Sequence, residues 1–268
     1  HNEYLLPVGI TQDTKAQYRV SDLAKRTNDD KAEFRLAALG LEGSLAGWDY
    51  KAGLAHSEAI VKGSISGYPG ARAFSRLLSS GVLNPFVGPG QQSAAGQQAL
   101  AATNYVGYLD GCTSQLTSVD LSASRRLATL PGGPLMLGAG VQVYQEKFQS
   151  KPSLFAQGLL SDPVAGTLAD PAAGRPGDVR FGDEAANIPY SADRRVSSAF
   201  AELVAPVFKG LEVTGAVRFD TYDDVGDSTT GKLSFRWTPN KTFLLRGSLG
   251  TGFKSPTVPQ LNASVQLF

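Results

Sequence analysis

Apolar and polar residues alternate along several segments, and this period of two constrains the fold more than any other feature of the chain. Within 211–222, Val213, Val217 and Phe219 occupy odd positions, whereas Glu212 and Arg218 occupy even ones. Successive side chains of a β-strand point to opposite faces, so such a segment forms a strand with one apolar and one hydrated face. The chain is therefore predicted to be all-β.

The alternation predicts nine or ten strands. They are placed at 14–26, 32–45, 48–61, 114–129, 134–148, 194–207, 211–222, 229–238 and 241–250, with a tenth beginning near 260. The apolar phase slips between Phe34/Leu36 and Leu39/Leu41, which a β-bulge would explain. No amphipathic helix is predicted.

Short and long connections alternate along the chain. Tight turns rich in Gly, Pro and Asn connect some successive strands. The other successive strands are connected by long links at 61–113 and 149–193 and by a shorter one at 223–228. In an up-and-down antiparallel meander, the tight turns then share one rim and the long loops share the other. Outer-membrane barrels are built in this way, whereas a soluble sandwich has no reason to segregate loop length.

Aromatic residues beside the tight turns also indicate a membrane barrel. Trp48 and Tyr50 follow the first turn, and Trp237 and Phe243 flank the fourth, all on the apolar phase of their strands. A lipid–water interface favours amphipathic rings at strand ends. Aromatic residues that cap a soluble core are the alternative interpretation.

Composition excludes several classes of protein. Lys and Arg number 25 and Asp and Glu 24, for a net charge of +1, so no overall field attracts nucleic acid. The single cysteine, Cys112, excludes an internal disulfide and a thiolate metal cluster, and is interpreted as a lone loop thiol. No apolar run approaches the roughly 20 residues of a membrane-spanning helix, which excludes helical membrane proteins and leaves barrels.

Motifs for catalysis and cofactor binding fail on inspection. The stretch 247–255 resembles a phosphate-binding loop, but Phe253 precedes Lys254 where that loop needs Gly. His56 falls on the apolar phase of its strand and lacks a catalytic partner. Four aspartates around one turn could attract a cation, although an acidic hairpin tip in water needs none: Asp220, Asp223, Asp224 and Asp227. No catalytic residue, metal site or cofactor is predicted.

The last third of the chain resembles the barrel strands of TonB-dependent outer-membrane receptors. The resemblance is carried by Ala199-Phe200-Ala201-Glu202, Pro206, Leu211, Arg218-Phe219-Asp220, Tyr222 and Gly226, then by Arg246-Gly247-Ser248-Leu249-Gly250-Thr251-Gly252-Phe253-Lys254-Ser255-Pro256-Thr257 with Gln260-Leu261. Lys254 and Ser255 depart from the commoner Arg and Ala. Asn84-Pro85-Phe86 also resembles a recurrent tripeptide of the family.

The resemblance implies active import across the outer membrane of a Gram-negative bacterium. The family barrel has about 22 strands around a plug domain, and the TonB–ExbB–ExbD system acts through the plug. Residues 1–268 are therefore expected to be one partial barrel domain, an internal fragment without the plug. The implied ligand is a small molecule or metal chelate, such as a ferric siderophore, cobalamin or an oligosaccharide, and the implied partners include the plug and outer-membrane lipid, without nucleic acid.

Candidate functional residues follow from the polar phase of the strands. Glu202, Arg218, Asp220, Arg236 and Arg246 are predicted to face the lumen and to contact the plug or the ligand. The family motif comprises Arg246, Gly250, Gly252, Phe253, Pro256 and Leu261. Tyr68, Tyr105 and Tyr108 in the first long loop could contact a ligand, or could simply pack.

Two other functions remain open at this point. A passive porin or a surface adhesin would use the same strands. A soluble all-β binding domain would instead pack its apolar strand faces against a second sheet.

Overall fold

A computed structural model of the protein describes residues 20–183 and 185–263. Ten strands make up most of these residues. Eight form one antiparallel sheet in chain order: β1 (Thr27–Leu45), β2 (Trp48–Pro69), β3 (Asn104–Leu130), β4 (Gly133–Ser150), β7 (Ser191–Phe208), β8 (Leu211–Tyr222), β9 (Gly226–Asn240) and β10 (Phe243–Gly250). Strands β5 (Leu160–Asp162) and β6 (Thr167–Leu168) form a separate hairpin. The predicted up-and-down meander is confirmed.

Three α-helices and a short 3-10 helix occur among the described residues, although none was predicted. Helices α1 (Ala71–Ser79) and α2 (Ala94–Ala101) lie between β2 and β3, α3 (Val258–Asn262) follows β10, and the 3-10 helix covers Pro171–Ala173. Helix α3 replaces the strand predicted near 260, because Thr257 and Gln260 form a capping box that starts a helix there.

The first predicted strand, 14–26, is also wrong where it can be checked. Residues 20–26 form turns and irregular structure, and 14–19 lie outside the described residues. The other eight predicted strands are present. Several of them run further than predicted, since β2 continues to Pro69 and β3 begins at Asn104.

All the tight turns lie at one rim of the sheet, as predicted. They occupy 46–47, 131–132, 209–210 and 241–242, whereas the links at the opposite rim cover 70–103, 151–190 and 223–225. The first turn has positive φ at both residues, 52° at Ala46 and 79° at Gly47. Two positive φ angles are the signature of the type I′ turn, whose twist suits a two-residue hairpin.

The strand register collects the apolar residues on one side of the sheet, which we call the apolar face. Leu54, Val119 and Val143 are cross-strand neighbours there, as are Leu137 and Leu203. The belt continues through Leu39, Leu41, Leu45, Trp48, Tyr50, Leu121, Ala139, Val141, Ala199, Ala201, Val213, Val217, Phe219, Leu233, Phe235, Trp237, Leu245 and Leu249. It spans the full width of the sheet.

No second sheet covers this belt within the described part of the chain. Leu39, Leu121 and Leu233 are 72%, 49% and 59% exposed. A soluble sandwich would bury these side chains between two sheets. The arrangement therefore contradicts the soluble binding domain and agrees with an apolar face that meets lipid.

The phase slip in β1 does not arise from a bulge. Strands β1 and β2 pair continuously from Thr27↔Ser66 to Leu45↔Trp48. Phe34 and Leu36 instead lie on the opposite side of the sheet, which we call the polar face. They are closer to the rim of long links than the belt is. The slip thus marks two apolar patches on different faces of one regular strand.

None of the helices described here is both long and apolar enough to cross a membrane.

Candidate functional site

The polar face carries all five residues predicted to face the lumen. Glu202, Arg218, Asp220, Arg236 and Arg246 occupy the phase opposite to the belt on strands β7 to β10. The register separates four of them into two groups that differ in how their charges are compensated, and Glu202 belongs to neither.

The first group is a closed network across three strands. Arg218 Nε donates to Asp220 Oδ1 over 2.8 Å, and Arg218 Nη2 donates to Ser198 Oγ over 2.9 Å. Ser198 Oγ also donates to Asp220 Oδ1, and Gln142 Oε1 lies 3.4 Å from Arg218 Nη2. Asp220 and Ser198 are buried, so this network satisfies its own charges and braces β4, β7 and β8.

The second group is cationic and open. Arg236 and Arg246 are direct cross-strand partners, and like charges placed opposite each other repel. Together with Lys232 and Glu212 they line a groove of about 510 Å³ near the rim of tight turns. Among the described residues, no carboxylate lies within 4.0 Å of either arginine head group.

Glu202 belongs to a neighbouring groove of the polar face. It lies there with Arg218, Lys232 and Thr251. Its side chain is exposed, and Ala216 is its cross-strand partner on β8. Glu202 is therefore accessible from the polar side of the sheet.

Residues 251–263, which we call the strap, leave the sheet after β10 and cross the polar face. Thr251 N donates to Gly231 O over 2.9 Å, and the Phe253 ring packs edge-on against Tyr222 at 5.8 Å. Helix α3 then packs against β4 and β7, with Val258 only 4% exposed. The strap and the sheet enclose a groove of about 580 Å³ with an apolar side formed by Phe34, Leu116, Phe148, Val258 and Pro259.

Arg194 holds the strap to the sheet. Its Nε donates to both carboxylate oxygens of Asp224, over 2.9 and 2.8 Å. Its Nη2 lies 2.7 Å from Asp224 Oδ2, an ion pair without hydrogen-bond geometry. Its Nη1 donates to Pro256 O over 2.8 Å and lies 3.3 Å from Ser255 Oγ. Sequence reasoning missed Arg194, because these partners lie 30 to 62 positions further along the chain.

The two long links fold together into a structure that we call the loop cap, residues 70–103 and 151–190. Asp178, fully buried, accepts from Arg72 N over 2.7 Å and from Ala73 N over 2.9 Å, which caps the start of α1. Phe74 and Phe181 join the two links with ring centroids 4.9 Å apart.

Most of the buried apolar side chains belong to the loop cap or border it. One cluster contains Val20, Leu23, Phe74, Leu83 and Leu100, and a second contains Ile65, Leu109, Phe155, Ala156 and Leu160. The hydrophobic core of this chain therefore lies at one rim of the sheet, because both faces of the sheet itself remain largely open.

A sequence model of the family described as TonB dependent receptor-like, beta-barrel, matches residues 4–266. The match covers nearly the whole chain. The chain belongs to the TonB-dependent receptor family. No curated protein shows significant sequence similarity to it.

Solved receptor structures share a low level of similarity with the chain. The siderophore receptor PirA from Acinetobacter baumannii is 18% identical with a TM-score of 0.48, over 85% of this chain and 26% of that one. A mutant of the ferric enterobactin receptor PfeA from Pseudomonas aeruginosa is 14% identical with a TM-score of 0.28, over 88% and 44%. The chain thus spans between about a quarter and under half of these receptors.

The family motif of this receptor coincides with the end of β10 and the strap. Arg246 and Gly250 lie on β10, and Gly252 begins the crossing. Phe253 packs on Tyr222, and the Pro256 carbonyl accepts from Arg194. A Cβ on Gly250 would lie 3.0 Å from Gly231 O, so the motif glycine permits close approach of β9 there. Leu261 lies in α3 and remains 46% exposed.

The clustered aspartates make contacts within the chain. Asp224 pairs with Arg194, Asp220 pairs with Arg218, and Asp223 accepts from Arg195 N over 2.9 Å. The described residues include no group of three or more metal-ligating side chains placed to hold an ion. Each of these three carboxylates thus accepts from an arginine side chain or a backbone amide.

Three predictions about individual side chains need correction. Cys112 lies within β3, not in a loop, and burial raises the pKa of its thiol. Tyr68, Tyr105 and Tyr108 also lie on strands, and Tyr105 packs against Phe155 at 4.5 Å. Tyr105 donates to Tyr108 O over 2.6 Å, the Tyr108 hydroxyl donates to Lys151 O, and the guanidinium groups of Arg26 and Arg180 lie over the Tyr68 ring. His56 lies on the apolar phase as expected, but its Nδ1 is 2.8 Å from Thr117 Oγ1.

Proposed function

We propose that this chain forms part of the barrel wall of a TonB-dependent active transporter in the outer membrane of a Gram-negative bacterium. One observation carries the proposal: a single sheet exposes a continuous apolar face, opposes it with a charged polar face, and gathers both long loops at one rim. Lipid would cover the apolar face, and the polar face would line the lumen.

The imported ligand is a scarce small molecule or metal chelate, of the ferric siderophore, cobalamin or oligosaccharide class. The loop cap lies at the rim that is extracellular in outer-membrane barrels, where a ligand arrives. Its two buried clusters make it a folded unit that can present a defined surface. No catalytic step is required of these residues, because the TonB–ExbB–ExbD system would supply energy through the plug.

The plug would meet the polar face near the rim of tight turns. Arg236 lies between Glu212 on β8 and Arg246 on β10, so Arg246 faces a like charge and favours a further anionic group beside it. Acidic side chains of the plug would supply that group, with Glu202 available for a basic one. Arg218 and Asp220 would act within the wall itself, since they already satisfy each other.

Uptake by the full-length receptor in cells tests the proposal. The probes are a panel of radiolabelled ferric siderophores, cyanocobalamin and a maltodextrin, each with TonB present and with TonB deleted. Active import predicts accumulation of one probe that stops without TonB or after the proton-motive force is collapsed.

The same experiment separates the alternatives. A passive porin would admit its probe equally well without TonB and would conduct ions in a planar bilayer. An adhesin would bind cells or matrix and accumulate none of the probes. Either result would overturn active transport.

A further inference from the structure

The apolar face changes abruptly to polar above the belt. Leu54, Val119, Val143 and Ala199 are the last members of the belt on β2, β3, β4 and β7. Beyond them, with Ser197 between Ala199 and Arg195 on β7, the same face continues in two polar rows: His56, Thr117, Gln145 and Arg195, then Glu58, Gln115, Lys147 and Asp193. This change occurs on the side of the belt that leads to the loop cap.

Three cations cluster in this polar region. Gln145 pairs with Arg195 and Lys147 pairs with Asp193, so Lys147 and Arg195 are diagonal neighbours on one face. Diagonal positions lie about 7–8 Å apart. Lys151 Nζ donates to Thr113 Oγ1 over 3.0 Å, which places a third cation next to Lys147 and one step further from the belt. Lys147 and Lys151 line a shallow groove of about 270 Å³ with Gln149 and Ser191.

The nearby carboxylates are engaged elsewhere. Glu58 accepts from Gln115 Nε2 over 2.8 Å and lies 3.6 Å from Arg35 Nη1. Asp193 accepts from Gln145 Nε2 over 3.2 Å. Within the described part of the chain, no carboxylate approaches the head groups of the three cations within 4.0 Å. Among the described residues, the three head groups therefore lack an ion-pair partner within that distance, although Asp193 lies opposite Lys147.

The height of the cluster matches a lipid headgroup layer. Val143 pairs with Ser197, so Arg195 lies two residues and Lys147 four residues beyond this row, about 7 and 13 Å along the strands. With the usual strand tilt of about 40°, these are rises of about 5 and 10 Å. The headgroup layer is about 5–8 Å thick on each side, and long cationic side chains reach back towards it.

We propose that Lys147, Lys151 and Arg195 bind the phosphate groups of a phosphorylated lipid headgroup in the outer leaflet. Ammonium and guanidinium groups form charge-assisted hydrogen bonds with phosphate oxygens. The acyl chains of the same lipid lie along the adjoining belt, against Val143 and Ala199. The site rests on the membrane placement proposed above and is independent of active import.

Lipid binding to the full-length receptor, measured by native mass spectrometry, tests the site. The probes are lipid A with two phosphates, its fully dephosphorylated form, and inorganic phosphate as a competitor. The variant K147Q/K151Q/R195Q is compared with K209Q/K241Q/R126Q, which removes three exposed positive charges near the other rim. Each cation near an anionic surface contributes about fivefold in affinity, so the first variant should bind lipid A about 100-fold more weakly.

The proposal further requires that the control variant binds like wild type and that dephosphorylated lipid binds weakly to all proteins. The charge-conserving variant K147R/K151R/R195K should retain binding, which separates loss of charge from misfolding. Equal binding of lipid A to wild type and K147Q/K151Q/R195Q would overturn it. So would full displacement of lipid A by millimolar phosphate, because the site would then take the free anion. If the wild-type receptor binds lipid A as expected but takes up no probe in a TonB-dependent way, only the transport proposal would be contradicted.

Discussion

Arg194 connects three segments of the receptor through one guanidinium. It pairs with Asp224 at the tip between β8 and β9 and binds the Pro256 carbonyl of the strap, while its own side chain is nearly buried. Removal of one partner from a buried pair leaves the other charge unsatisfied, which costs about 3–5 kcal/mol. Arg194 is thus a positioning residue for the strap.

Arg194→Gln should release the strap from the polar face. We expect hydrogen exchange of the amides of 251–263 in the full-length receptor to rise at least tenfold, because the anchors at Ser255 and Pro256 are lost. Arg194→Lys keeps the charge without the forked geometry and should give an intermediate increase. The matched control is Arg126→Gln at an exposed arginine. Unchanged exchange of the strap in Arg194→Gln would show that α3 packing alone holds it.

Asp110 of β3 interacts electrostatically with Arg180 and Asp183 of the loop cap. This carboxyl lies beyond the apolar belt, and burial raises its pKa. The Arg180 guanidinium acts in the opposite direction, whereas Asp30 and Asp183 raise the pKa further. The native state therefore holds the proton to higher pH than the unfolded chain. The resulting stabilisation is complete below the ordinary pKa of 3.8 and is lost as pH rises through the raised native pKa.

The stability of this region should consequently fall as pH increases from about 4 towards neutrality. Hydrogen exchange around 108–112, measured across that range, should show faster opening at the higher pH. Asp110→Asn should remove most of the dependence, and Asp162→Asn at the exposed end of β5 should leave it as in wild type. A pH profile unaffected by Asp110→Asn would refute the assignment.

At the scale of the element, Asp178 joins the two halves of the loop cap. Its carboxylate caps α1 in one link from its position in the other, and it is completely buried. Asp178→Ala should cost more than the 0.5–2 kcal/mol of an ordinary cap, about 3 kcal/mol, because two part-buried amides lose an acceptor that is itself fully buried.

Limited proteolysis of the full-length receptor measures this effect. Cleavage within 70–103 should become much faster in Asp178→Ala. Asp170→Ala is the matched control, since Asp170 caps the exposed 3-10 helix through Ala173 N at 3.1 Å and should change cleavage little. Equal cleavage in both variants would mean that Asp178 does not hold the links together.

The strands were predictable from sequence only where one of their faces is apolar. Within the belt, as in 211–222, the polarity of each side chain indicates which face of the sheet it occupies. The strands and tight turns there were therefore located correctly. Beyond the belt, residues 62–69 and 104–113 carry only scattered apolar residues such as Ile65 and Leu109, which pack on the loop cap, so they lack regular alternation and looked like loop. The strap was missed because its anchor, Arg194, is specified by contacts about 60 residues apart.

At the scale of the whole molecule, the chain is one wall with different chemistry on its two faces. The polar face contains a self-satisfied network at Arg218 and Asp220 and an open cationic pair at Arg236 and Arg246. The alternation of apolar and polar residues correctly predicted that all five candidate residues occupy the polar face. It did not predict which of them bind a neighbouring side chain, because such contacts depend on residues of other strands such as Ser198.

The apolar face should meet lipid, and the polar face should not. Spin labels placed singly at residues 213–217 of β8 in the full-length receptor, in bilayers and with Cys112→Ser, measure this contact. Oxygen accessibility is expected to be high at 213, 215 and 217 and low at 214 and 216. Uniform accessibility, or low accessibility at the odd positions, would contradict the membrane placement.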